Sequence, residues 1–128
     1  GSTFNLCEIA EKSLSQLGIS VELIDVQTLV PFDMNQMIVK SLEKTSRLFI
    51  VDEDVSSGAT AYILDKIMVD QKAFFHLDSA PVTLSAKDHR PAYGSDGDYF
   101  SKPNVDDIIE GVYAVMHESN PSKFPKLY

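Results

Sequence analysis

Basic residues are scarce in this chain: 11 Lys and Arg stand against 19 Asp and Glu, a formal charge of −8. A phosphate backbone is bound by clustered Lys and Arg, so nucleic acid is excluded as a partner. A basic protein partner and a plain solvated acidic surface both stay open. Cysteine occurs once, at Cys7, which rules out an internal disulfide and fits a reducing compartment such as the cytoplasm. Its place on the apolar stripe of a helix makes it a core residue. No apolar run approaches the roughly 20 residues that cross a bilayer, and no basic-then-apolar stretch opens the chain; no membrane partner is expected. Signatures of chemistry are missing too. His76, His89 and His117 are far apart and show no metal spacing, and no Ser sits in a G-x-S-x-G elbow. No catalytic, cofactor-binding or metal-binding residue is therefore assigned.

What is present is an alternation of helices and strands. Leu6, Ile9, Ala10, Leu14 and Leu17 recur near the helical period, with Gly18 as C-cap. Val21 to Val26 reads as a short strand. Asp33 can cap a second helix whose apolar positions are Met34, Met37, Ile38 and Leu42. Arg47 to Val51 reads as a strand buried on both faces. A turn, Asp52 to Ala59, leads to a third helix with Tyr62, Ile63, Ile67 and Met68 inward. Pro81 to Ser85 is a third strand. Asn104 can cap a last helix that buries Val105, Ile108, Ile109, Val112 and Met116. The expected fold is an α/β three-layer α/β/α sandwich with a mostly parallel sheet over residues 1–117, followed by a tail over 118–128. A strand normally feeds the first helix of such a fold, so the sequence reads as part of a longer chain.

Three stretches invite a ligand. Asp52-Glu53-Asp54 falls at the carboxyl end of a strand, where open α/β sheets place ligands; a phosphoacceptor site there would want an acidic pair and a late lysine, and only Asp25 and Lys87 are on offer. Ser56-Ser57-Gly58 could cradle an anion, but helix capping by Ser57 explains it better. The loop "RPAYGSDGDYFSKPN" (90–104) carries Asp96-Gly97-Asp98 and reads as a surface crossover delivering Asn104 to the last helix.

The ordered segments "GISVELIDVQTLVPFD" (18–33), "SLEKTSRLFIVDED" (41–54), "SGATAYI" (57–63), "HLDSAPVTLSAKDHRPAYG" (76–94) and "KPNVDDIIEGV" (102–112) together resemble one family. They are similar to the C-terminal, transketolase-like domain of the beta subunit, or fused beta half, of thiamine-diphosphate-dependent 2-oxo acid dehydrogenases. Each motif is short; their order and spacing over residues 2 to about 117 make the combination specific. In that family a strand ending in "T-Y-G" precedes the first helix and lies near the middle of the sheet. The resemblance thus implies a fold whose first strand lies outside this sequence, its gap filled by upstream residues or covered by rearrangement or association.

The resemblance also implies a role. The parent enzyme would oxidatively decarboxylate a 2-oxo acid, with branched-chain 2-oxoisovalerate favoured over pyruvate, and pass the acyl group to lipoamide. Thiamine diphosphate and magnesium would be held by other domains and not by this piece. This domain would serve assembly with the alpha subunit or alpha half and the second beta half. It would also dock the lipoyl-bearing acyltransferase core. One residue carries over: Asp78, the Asp of "L-D-x-P", here "L-D-S-A-P", which in relatives meets a basic residue of the core. Ser79 is extra relative to forms reading "L-D-A-P", and Tyr128 extends past the place where relatives use their C-terminal carboxylate. Asp78 as a simple turn-capping residue is the alternative. For the whole chain, the alternatives are a domain of transketolase or a ferredoxin-coupled oxidoreductase, or a stand-alone α/β module with its site at Asp52 to Gly58.

Overall fold

In a computed structural model, residues 2–27, 29–55, 58–88 and 100–126 are described. Helix α1 spans Ser2–Gln16 and α2 spans Met37–Thr45. Strand β1 is Phe49–Val55, α3 is Ala59–Asp65, and β2 is Val82–Asp88. A two-residue strand β3, Phe100–Ser101, precedes α4, Val105–Ser119. A π-helical turn (Lys66–Asp70) and a 3-10 turn (Ala73–His76) carry the chain from α3 towards β2.

The helix ends follow from local chemistry. Gly18 adopts φ 81°, a left-handed conformation open to glycine at little cost, and Ile19 N–H closes on Leu14 O at 2.9 Å. The Asn104 side chain accepts from Asp107 N–H at 2.8 Å while the Asp107 carboxylate accepts from Asn104 N–H at 3.1 Å, a reciprocal cap on two otherwise orphaned donors. Asp33 caps α2 as expected, accepting from Met37 N–H at 2.9 Å and Ile38 N–H at 3.1 Å. The helix itself starts only at Met37, however. Residues 34–36 form a turn out of helical phase, so Met34 and Met37 are exposed while Ile38 and Leu42 are buried.

β1 and β2 pair in parallel, with Phe49 opposite Val82, Ile50 opposite Thr83 and Val51 opposite Leu84. β3 pairs antiparallel with Lys87 and Asp88 of β2. Alternate residues of β1 face opposite layers. Ile50 joins a core with Ile38, Val39, Leu42, Ile63, Ile67 and Ala73, under α2 and α3. The Phe49 ring lies over Gly111 of α4, where a Cβ would come within 2.6 Å of it. A second core joins Leu14, Ile19, Tyr113 and Phe124 between α1 and α4. This is the three-layer α/β arrangement, with its sheet between two helical layers.

Four sequence expectations change. Residues 21–26 form no ladder with any described strand, because an apolar pattern alone does not make a strand without a hydrogen-bonded neighbour. β1 continues through Asp52, Glu53 and Asp54, so the acidic triplet belongs to the strand and not to a following turn. Ile9 and Leu17 are exposed. The boundary drawn at residue 117 falls inside α4, and the segment beyond it folds back. Phe124 is 4% exposed, against the Tyr113 ring edge at 6.1 Å. The Tyr113 hydroxyl donates to Pro125 O at 2.6 Å, and His117 Nδ1–H donates to Phe124 O at 2.7 Å. Ser57, His89 and the Asp96-Gly97-Asp98 loop lie outside the described residues.

Candidate functional site

Asp78 sits at a corner where three elements meet. α2 ends in a left-handed Ser46 (φ 63°), whose N–H bonds Leu42 O at 2.9 Å. That reversal turns Ser46 O outward to accept from Asp78 N–H at 2.9 Å, and two residues on Leu48 O accepts from Val82 N–H at 3.1 Å. The approach to β2 is thereby zipped to the approach to β1. Between these bonds Arg47 reaches both ways. Its Nη2 lies 3.2 Å from Asp78 Oδ2, and its Nε donates to Ser119 Oγ at 3.0 Å in the last turn of α4. Ser119 in turn donates to Val115 O at 3.0 Å. A cation beside the carbonyl end of a helix also complements the helix dipole.

The Asp78 side chain is 49% exposed and that of Arg47 30%. In water-facing geometry such a pair contributes about 0–1 kcal/mol; its value lies more in fixing where the carboxylate points. The extra residue, Ser79, is taken up by turning inward: its hydroxyl is buried without a hydrogen-bond partner. Tyr128 lies outside the described residues. The clamp by Arg47 was absent from the sequence reading. Its only trace was the run Lys44-Thr45-Ser46-Arg47, which gives no hint of a partner 31 residues on.

Of the other candidate stretch, Asp52 to Gly58, Ser56 and Ser57 lie outside the described residues. Among the described residues no three His, Cys, Asp or Glu side chains converge to hold a metal ion. α3 begins at Gly58 without a side-chain cap.

A second feature is a cavity of about 760 Å³ between residues 21–26 and β1. Leu23, Ile24 and Val26 line one wall, Ile50 and Val51 the other, and Phe4 and Cys7 of α1 close part of it. Burial raises the pKa of the Cys7 thiol above the ordinary 9.0, which disfavours the thiolate and with it nucleophilic chemistry.

The described residues thus define a three-layer α/β domain with a charged corner at Arg47 and Asp78. Residues 1–108 match the family described as transketolase, C-terminal domain, and the chain belongs to that family. It is similar to the pyruvate dehydrogenase E1 component subunit beta of Rhizobium meliloti, 33% identical over 119 residues, 92% of this chain and 25% of the relative. The subunit of the same name from Acholeplasma laidlawii is 42% identical over 89 residues, 69% of this chain and 26% of that one. The mitochondrial subunit of Saccharomyces cerevisiae is 28% identical over 110 residues, 85% and 30%. The chain thus spans about a quarter to a third of the length of these relatives.

Proposed function

We propose that this chain is the assembly and docking domain of a thiamine-diphosphate-dependent 2-oxo acid dehydrogenase beta subunit. The observation that carries the reading is the family match together with the E1 beta name borne by the relatives given above. The parent enzyme oxidatively decarboxylates a 2-oxo acid and transfers the acyl group to lipoamide. Pyruvate is the substrate those names favour, in place of the branched-chain acid favoured by the sequence reading. Thiamine diphosphate and magnesium would be held by the remainder of the enzyme. The partners are the alpha subunit, the rest of the beta subunit and its second copy, and the acyltransferase core.

Docking falls to Asp78. Its carboxylate is held by Arg47 on one oxygen and stands half in water, a posture suited to receive a Lys or Arg from a partner. Asp78→Ala in the assembled enzyme is expected to weaken binding to the acyltransferase core about tenfold or more, while decarboxylation measured with an artificial electron acceptor is retained. Equal loss of both would make Asp78 a structural turn residue. Assaying that enzyme on pyruvate and on 2-oxoisovalerate decides the substrate.

A further inference from the structure

One edge of an arginine guanidinium, formed by Nε and Nη2, presents two parallel N–H groups that fit both oxygens of a single carboxylate. At Arg47 that edge is divided between two acceptors. Nε donates to Ser119 Oγ at 3.0 Å, while Nη2 lies 3.2 Å from Asp78 Oδ2. Asp78 therefore meets Arg47 through one oxygen, although the fork that could cover both is within reach. No other side chain pairs with Asp78 among the described residues, and its carboxylate stands half in water.

The serine that divides the fork is itself held in place. Its hydroxyl proton goes to Val115 O at 3.0 Å, one turn back in α4, so towards Arg47 the oxygen offers lone pairs and no donor. Beyond it the chain is fixed as well. Asn120 N–H closes on Met116 O at 2.9 Å, and Asn120 O accepts from Phe124 N–H at 3.0 Å, with Phe124 buried. On the other side Asp78 N–H is bonded to Ser46 O at 2.9 Å. Both acceptors thus sit on anchored backbone, and the mobile partner is the long Arg47 side chain between them.

We propose, on the footing that Asp78 docks a partner as set out above, that Ser119 is a positioning residue for that docking. By taking Nε it keeps Arg47 from closing on both oxygens of Asp78, and so leaves one oxygen for the basic residue of the partner. Without the serine oxygen, the acceptors left to the fork are the two oxygens of Asp78. A bidentate guanidinium–carboxylate pair is stronger and more fixed in geometry than a single contact, and an incoming Lys or Arg has to displace it. The domain then occupies its own docking carboxylate. A lysine at position 47 cannot do the same, because its ammonium is a point charge without the fork. Loss of the Ser119 oxygen therefore covers Asp78, whereas loss of an ordinary structural hydrogen bond would loosen the corner and uncover it.

The test uses the assembled enzyme and two readouts. Carbodiimide-driven amide labelling, followed by mass spectrometry at Asp78, reports how free its oxygens are; titration with the acyltransferase core reports docking. Ser119→Ala is expected to lower both the labelling and the affinity, each about threefold, the size that an exposed pair can give. Ser119→Thr keeps the oxygen and both values. Adding Arg47→Lys to Ser119→Ala restores both, since lysine has no fork. Labelling that stays level or rises in Ser119→Ala would overturn the proposal and leave Ser119 as a tie at the helix end. Failure of Arg47→Lys to restore the labelling would overturn it too. If the labelling responds as expected while core affinity ignores every variant, Asp78→Ala included, the docking role of Asp78 falls and only the divided fork survives.

Discussion

The two sides of β1 are built from similar residues and reach different ends. Towards β2 the strand is paired in register and sealed by α3 and α2, and Ile50, Ile63 and Ile67 are almost free of water. Towards residues 21–26 the same strand meets an apolar segment across a cavity of about 760 Å³, and no ladder joins the two among the described residues. Apolar pattern alone does not make a sheet: it brings chains together, and the hydrogen-bonded neighbour decides whether they become strands.

The largest test of that contrast is a pair of truncations. Ile67→Ala, in the sealed half at 1% exposure, is expected to cost about 2–5 kcal/mol in denaturant unfolding. Ile24→Ala, on the gap wall, should cost clearly less, because its neighbours already face a void and leave less to lose. Equal losses would mean that the gap is closed in solution. A subtler probe is Gly111→Ala, whose new methyl group meets the Phe49 ring. With the gap empty the ring has room to swing aside and the change is mild; with the gap filled the clash should cost about 1–3 kcal/mol.

Smallest is the effect of Glu22→Gln. The Lys44 bond, and then Ser41, hold the Glu22 carboxyl below the ordinary 4.5. A folded value below the unfolded one stabilises above about 4.5 and is lost as pH falls through the lower folded value. The pair is exposed, so the variant should only flatten the acid limb of the stability curve. A shift in the neutral region instead would show that Glu22 anchors the segment by more than charge.

The frame of the domain was legible where local chemistry decides. α1 and α4 announce themselves by spacing and caps, and β2 by branched residues after Pro81. Where long-range pairing decides, the sequence reading slipped. Val21 to Val26 has the residues of a strand without a ladder partner among the described residues. Asp52 to Asp54 look like a turn, yet they lie inside β1, in the irregular stretch between its paired residues Val51 and Val55. Met34 fits the helical period, but Asp33 caps from four residues away and starts the helix late. The corner at Asp78 was half legible: Asp78 came from family resemblance, whereas Arg47 and Ser119 reach it only through the folded chain. The end of the chain misled for a simpler reason. Two prolines and no periodicity look loose in one dimension, and nothing in a linear reading places Phe124 beside Leu14 and Tyr113.

That end is best thought of as a latch. Asn120 starts the reversal, accepting from Lys123 N–H at 3.2 Å and Phe124 N–H at 3.0 Å, and the Tyr113 hydroxyl fastens it at Pro125. A protease that nicks the exposed turn at 121–123 would therefore not trim a loose end. It would withdraw an aromatic ring from between α1 and α4 and strand a tyrosine hydroxyl and a histidine at once, so that clipping and unfolding of this domain should proceed together.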